Sequence, residues 1–276
     1  MEEIKPLGSF YRVDDEGYLV NDTSWEKIDQ NYRNAIKRAV EILTLAIPLS
    51  SIYLRGSVPK GNGIEGISDL DLIVLTDQDH EQVADLLNHK LTTEFPWVSG
   101  CEVSFFSLQK VERVTRFSII PFMIKTSSLC VYGNDVANDI PRFKPDRALA
   151  NEHLIQLRTH INQAKKELNG NEDEEDIADC CTWIMKIIVR SGLALVMEQK
   201  PTYTRDLYPA YTLFSSFYSY KEREMKQALI YAIVPSNYAD EVIRFLNGFG
   251  EWMIQESDHW LDQYNPNRAP HMLITN

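Results

Sequence analysis

The chain has 276 residues, with 28 Lys and Arg against 40 Asp and Glu, for a net charge of −12. That balance excludes a reader of duplex nucleic acid, which needs a basic face to displace counterions, and it excludes an anionic membrane surface as a partner. With 44% hydrophobic and 25% charged residues the chain is globular, and its length fits about two domains.

In chain order, Phe10–Val13 and Tyr18–Val20 flank the turn-type cluster Asp14-Asp-Glu-Gly17, which predicts a hairpin in the first 22 residues. Thr23 or Ser24 can cap a following helix, in which Trp25, Ile28, Tyr32, Ile36, Val40, Leu43 and Ile47 recur at helical spacing up to Pro48. Strands are predicted at Ser51–Leu54, Asp69–Thr76, Cys101–Leu108 and Ser128–Tyr132. Between them, helices are predicted at 79–94 and at 111–125, the latter broken at Pro121. Beyond Pro141 and Pro145 no strand is convincing, and helices are predicted at 146–168, 175–199, 205–219, 221–232 and 238–263. The predicted fold class is therefore α+β: a mixed-sheet domain over 1–145, then an all-α helical bundle over 146–276.

The acid surplus is spread evenly, at net −6 in residues 1–150 and net −6 in 151–276. Its local cluster, Glu172–Asp176 with Asp179, reads as a solvated helix start, where unpaired amides favour carboxylates. The start Met1-Glu-Glu-Ile-Lys5 has no cationic segment before an apolar run, and no stretch of 18 apolar residues occurs. The four cysteines, two of them adjacent, show neither a disulfide framework nor zinc spacing, so a reducing cytoplasmic location is expected.

Two glycine patterns compete near residue 60. Gly61-Asn-Gly-Ile-Glu-Gly66 is a literal G-x-G-x-x-G, but it leads into a strand rather than opening a helix, so a turn is the better reading. The other pattern is Gly56-Ser57 at a strand end, followed by Asp69-Leu-Asp71 at the head of the next strand. Alternate strand residues share a face, their Cα atoms ~6.5 Å apart. Two carboxylates so placed repel each other unless a cation sits with them, and a pair of Mg²⁺ ions ~4 Å apart would be such a partner. Glycine permits close approach of a ligand, and Ser57 with the amides after it can donate to phosphate oxygens. Glu102 stands alone in the apolar run Cys101-Glu-Val-Ser-Phe-Phe106, either as a third acid of the site or facing solvent on alternation. His153 and His160, seven apart, fall on one face of a predicted helix with no evident chemistry. The aromatics Tyr203, Tyr208, Tyr211, Phe214, Phe217 and Tyr218 read as packing between helices, with stacking on a base or sugar as the alternative.

Leu54-Arg-Gly-Ser57, then Ser68-Asp-Leu-Asp-Leu-Ile-Val-Leu75, then Cys101-Glu-Val-Ser-Phe105 resemble the catalytic core of the DNA polymerase β-like nucleotidyltransferase superfamily. Within it the chain is most similar to the aminoglycoside 3″-adenylyltransferase-type branch, whose Tyr-Gly stretch looks like Val131–Asp135. The resemblance implies a nucleotidyltransferase sheet domain and a helical domain that closes the cleft and selects the acceptor. It implies Asp69, Asp71 and Glu102 as catalytic and metal-binding acids, Glu102 serving as base or third metal ligand. It implies Gly56, Ser57 and Ser68 as nucleotide contacts, with Arg190 and Arg205 over the triphosphate; an ion pair of Arg205 with its neighbour Asp206 is the competing reading. Two Mg²⁺ ions, ATP as co-substrate and a small acceptor, aminoglycoside-like and cationic, follow from it. The long glycine-bearing loop at 57–68 and the aromatic stretch Pro201–Tyr211 depart from the branch, and they put the acceptor in question. The alternatives are a nucleotidyltransferase that modifies a protein or tRNA in a toxin–antitoxin system, and a decayed nucleotide-binding module.

Overall fold

A computed structural model describes residues 5–77, 80–111 and 114–274. The start at 1–4 and part of the helix predicted at 111–125 lie outside the described residues. The chain divides into two compact units, residues 19–143 and residues 5–18 with 144–274.

The first unit is built on a sheet of strands β1 (Ser51–Arg55), β2 (Leu70–Leu75), β3 (Cys101–Phe106) and β4 (Leu129–Gly133), in the order β3-β2-β1-β4. β1 pairs antiparallel with β2 and β4, whereas β2 and β3 run parallel. A parallel pair needs a long crossover, and helix α2 (Glu81–Glu94) supplies it. Helix α1 spans Gln30–Ala46 and packs on α2. Its cap is Asp29, whose carboxylate accepts from the Asn31 amide; Trp25–Lys27 forms a separate 3₁₀ turn. The helix thus begins later than the Thr23 or Ser24 cap predicts.

Ile52, Leu54, Leu70, Leu72 and Val74 form one sheet face in a core with Tyr32, Ile36, Leu43, Leu87 and Leu91. Tyr53, Ile73 and Leu75 alternate to the other face and are also buried. Helix α3 runs Ile119–Ser127, so Pro121 lies in its first turn, where a missing N–H leaves no gap, and does not break it.

In the second unit the helices are α4 (Arg147–Leu154), α5 (Leu157–Leu168), α6 (Glu174–Val196), α7 (Leu207–Phe217), α8 (Glu222–Ile233), α9 (Ala239–Phe245) and α10 (Glu251–Tyr264). The central α6 packs against α4, α5, α7, α8 and α10. Gly192 permits close packing there: a Cβ would lie 2.5 Å from Met225 Cε and 3.1 Å from the Phe214 ring. Asp173 caps α6 through the amides of Glu175 and Asp176, so the acidic cluster is a helix start. The helix predicted over 146–168 is interrupted at residues 155–156, which separates His153 from His160. The one predicted over 238–263 carries a π turn at Leu246–Gly250, where two glycines weaken the α ladder.

Residues 5–18 belong to this second unit rather than to the sheet domain expected over 1–145. The cause is a set of hydrogen bonds. Tyr11 N donates to Tyr203 O at 2.8 Å, Ser9 N to Asp206 Oδ2 at 2.9 Å, and Thr204 Oγ1 to Ser9 O at 2.7 Å. The expected hairpin is reduced to its turn, in which Asp14 Oδ1 accepts from the amides of Glu16 and Tyr18 and the flanks make only isolated bridges at Val13 and Leu19.

Candidate functional site

Three strand ends meet at one place in the sheet unit. Arg55 closes β1, and the antiparallel register sets it opposite Asp71 on β2. The parallel register sets Asp71 opposite Glu102 on β3. Asp69, two residues before Asp71, falls on the same face by alternation. One oxygen from each of Asp69, Asp71 and Glu102 lies within 4.8 Å of the others. The structure therefore brings together the three acids singled out in the sequence.

Their surroundings differ. The Asp71 side chain is only 15% exposed, whereas that of Glu102 is 69% exposed. Glu102 faces solvent, so burial places no demand on it, and its significance comes from its neighbours. Burial pushes the Asp71 carboxyl up to about 6; Arg55 opposes that rise, and Asp69 and Glu102 add to it. Arg55 Nη2 donates to Asp71 Oδ1 at 3.1 Å and stands 4.0 Å from Glu102 Oε2. Arg55 was not among the residues singled out in the sequence; the available signal was a charge ending a strand whose other four residues are buried.

Gly56 follows directly with φ +89°, a conformation L side chains rarely adopt. A Cβ at this position would lie 2.9 Å from Asp71 Oδ2. Its backbone thus passes against the carboxylate, and a side chain here would have to push Asp71 aside from a strained φ. Ser57 Oγ donates to Ser68 Oγ at 3.0 Å, and Ser68 Oγ also accepts from the Ile64 amide at 3.0 Å. Tyr32 Oη donates to Ile64 O at 2.9 Å. These bonds pin the glycine-bearing loop between Ser57 and the head of β2, and the G-x-G-x-x-G pattern forms that turn without a following helix. Ser57 and Ser68 are joined to each other beside the acids, so a phosphate would take over a hydroxyl already in use.

The donors suit a particular kind of ion. All three are carboxylate oxygens, the ligand type of Mg²⁺ and Mn²⁺. The adjacent Cys101 thiol is pushed up to about 12, chiefly by burial and then by the charges of Asp71, Asp69 and Glu102, so it offers no thiolate. Among the described residues this is the one group of three or more acids, histidines or cysteines close enough to share an ion.

Arg190 and Arg205 lie in the helical unit. Arg190 Nη2 donates to Arg205 O at 3.5 Å, and its buried Nε has no hydrogen-bond partner. Burial, and then the charge of Arg205, lowers the Arg190 guanidinium from its ordinary range. Burial also pushes His153 down to about 3, with Arg190 and Arg205 adding to the effect. That imidazole stays neutral and its Nε2 lies 3.3 Å from Tyr203 Oη. Asp206 accepts from the Ser9 amide, which gives it a backbone partner. Tyr203, Tyr211 and Phe214 are buried, and Phe214 stacks on Tyr218 at 4.9 Å, as packing predicts; Phe217 is exposed.

No helix of the described residues is long and apolar enough to cross a membrane. No protein-family model matches the chain, and no curated protein matches it. Among solved structures it is similar to the spectinomycin adenyltransferase AAD(9) from Enterococcus faecialis, determined with ATP and spectinomycin. That likeness has a TM-score of 0.45 and 14% identity, over 85% of this chain and 99% of that one.

Proposed function

We propose that the chain is a Mg²⁺-dependent nucleotidyltransferase that moves AMP from ATP to a hydroxyl of a small, cationic acceptor. The observation that carries this reading is the convergence of Asp69, Asp71 and Glu102 within 4.8 Å, with the positive-φ turn at Gly56 against Asp71. Divalent cations bound there would neutralise charge on the α-phosphate and on the departing pyrophosphate. Asp69 and Asp71 would hold them, and Glu102 would share that task or take the acceptor's proton. In the transfer, the acceptor oxygen forms a bond to the α-phosphorus while the bond from that phosphorus to the pyrophosphate oxygen breaks. Glu102 suits proton removal because its carboxylate is open to solvent and to an incoming hydroxyl. Gly56 and Ser57 would cradle phosphate oxygens, Ser57 by turning its hydroxyl from Ser68, whose own hydroxyl is then available. Arg190 and Arg205 would supply positive charge for the triphosphate, and the acid surplus favours a cationic acceptor. The expected setting is the cytoplasm.

Thermal unfolding with ATP, GTP, CTP and UTP, each with and without Mg²⁺, tests the reading. A triphosphate at a hundredfold excess over Kd stabilises by about 2.7 kcal/mol, which should raise the midpoint by several degrees only when Mg²⁺ is present. No Mg²⁺-dependent rise with any triphosphate sinks the assignment. Transfer of label from α-³²P-ATP to an aminoglycoside panel, set against protein and tRNA fractions, then sorts the acceptor classes.

A further inference from the structure

Asp71 is bonded at one oxygen and closely approached by backbone at the other. Oδ1 accepts from Arg55 Nη2 at 3.1 Å, and Oδ2 faces Gly56 so closely that a Cβ there would lie 2.9 Å away. The same Nη2 reaches toward Glu102 Oε2 at 4.0 Å. A single guanidinium therefore stands with two of the three acids that converge within 4.8 Å. It is not a long surface side chain that happens to lie nearby: it is rooted in β1, directly opposite Asp71, and it is 23% exposed. An ion that took Asp71 Oδ1 would have to displace Arg55 or share the oxygen with a like charge a few ångströms away, and like charges at that range repel strongly.

We propose that Arg55 is a positioning residue that competes with a divalent cation for the carboxylates of Asp71 and Glu102, so that its charge sets how tightly the acidic site binds the cation. The inference rests on the reading of this face as a cation site, and it adds a residue that opposes binding to three that favour it. An arginine in this place holds the mutually repelling acids in one geometry while keeping the site from gripping an ion too firmly. A purely structural role makes the opposite prediction. If Arg55 served only to order the acids, its loss would scatter them and weaken cation binding.

The sign of the change therefore decides. Mn²⁺ binding to the full, nucleotide-free chain is measured by electron paramagnetic resonance and calorimetry at pH 8, for wild type, Arg55→Met, Arg55→Gln, Arg55→Lys and Asp71→Asn. Arg55→Met keeps the length of the side chain without its charge and should bind Mn²⁺ about tenfold more tightly. Asp71→Asn should bind at least about tenfold more weakly. An Arg55→Met protein with a wild-type unfolding midpoint and unchanged or weaker Mn²⁺ affinity overturns the proposal. Should Arg55→Met fail to fold, the equally uncharged Arg55→Gln decides in its place: affinity should rise about tenfold and no rise overturns the proposal, while Arg55→Lys, which keeps the charge, should stay near wild type. Wild-type protein that binds no Mn²⁺ sinks the cation site itself and this inference with it. Wild type that binds while Arg55→Met gains nothing sinks only the role of Arg55.

Discussion

The acidic face of the sheet unit and the arginine cluster of the helical unit both gather like charges, by opposite means. On the sheet, strand register lines up Arg55, Asp71 and Glu102 in one row, and a guanidinium from the neighbouring strand offsets the acids. In the helical unit, Arg190 lies against the carbonyl of Arg205, and the nearby imidazole of His153 is kept neutral. The first arrangement leaves charge facing solvent at Glu102 and Asp69; the second draws it inward beside buried Tyr203. Backbone pairing can hold acids together at a surface, where an arriving ion finds them. A partly buried cation cluster depends on side-chain and loop contacts, and it costs the fold whatever desolvation those contacts do not offset.

The largest effect expected on this contrast is at the acids. Asp71→Asn or Asp69→Asn should lower the rate of α-phosphate transfer at least ~100-fold, about 2.7 kcal/mol of barrier, while the helical unit is untouched. Wild-type rates in either variant would show that the acidic row has no part in the chemistry. Next comes Gly56→Ala, which forces a Cβ into positive φ against Asp71 Oδ2. It should cost about 2 kcal/mol in urea unfolding and weaken Mn²⁺ binding as Asp71 is pushed aside. A variant of wild-type stability would mean that the turn is not held as described.

On the helical side the test is pH. The folded imidazole of His153 resists protonation to about 3, whereas an unfolded histidine takes a proton near its ordinary value of 6.5. Between those values the unfolded state binds more protons, so stability falls as pH drops through that window and is level above it with respect to this group. His153→Gln should flatten the fall in unfolding free energy, measured with urea, between pH 6.5 and pH 4, by up to about 1 kcal/mol per pH unit. Parallel curves for the two proteins would mean that His153 is free to ionise in the fold. The smallest effect belongs to Thr204, which donates to Ser9 O and accepts from the Asp206 amide. Thr204→Val should cost about 1 kcal/mol and speed amide exchange at residues 9–11 before any other part of the unit. Unchanged exchange there would show that other contacts hold the N-terminal segment.

How much of this could be read beforehand follows from the same physics. Asp69 and Asp71 were legible because period-two alternation sets two carboxylates on one strand face, and the apolar Leu70 between them marks the other. Glu102 was legible from its own segment only as an odd acid in an apolar run, and the family resemblance supplied its role; its place beside Asp71 depends on a parallel register that no local pattern encodes. Arg55 stood in the segment that carries the family resemblance, yet its partner lies 16 residues on, across an antiparallel pair. The four strands and the long α6 follow from periodicity. The break at residues 155–156, the π turn at Leu246–Gly250 and the attachment of residues 5–18 to the helical unit arise from tertiary contacts, which propensity does not report.

The pairing of Asp71 with Glu102 also makes the acidic face a checkpoint on assembly. Sliding β3 by one residue would bring Cys101 or Val103 opposite Asp71 and send the acid to the other face. The loop between Ser57 and Ser68 lies outside the β1–β2 ladder that fixes Asp71 opposite Arg55. A single residue inserted between Leu70 and Asp71 would instead turn Asp71 toward the core side, where Leu70 and Leu72 are packed. Cation binding would then arise only after β2 and β3, joined through a helical crossover, had found one register, and its onset during refolding would mark that moment.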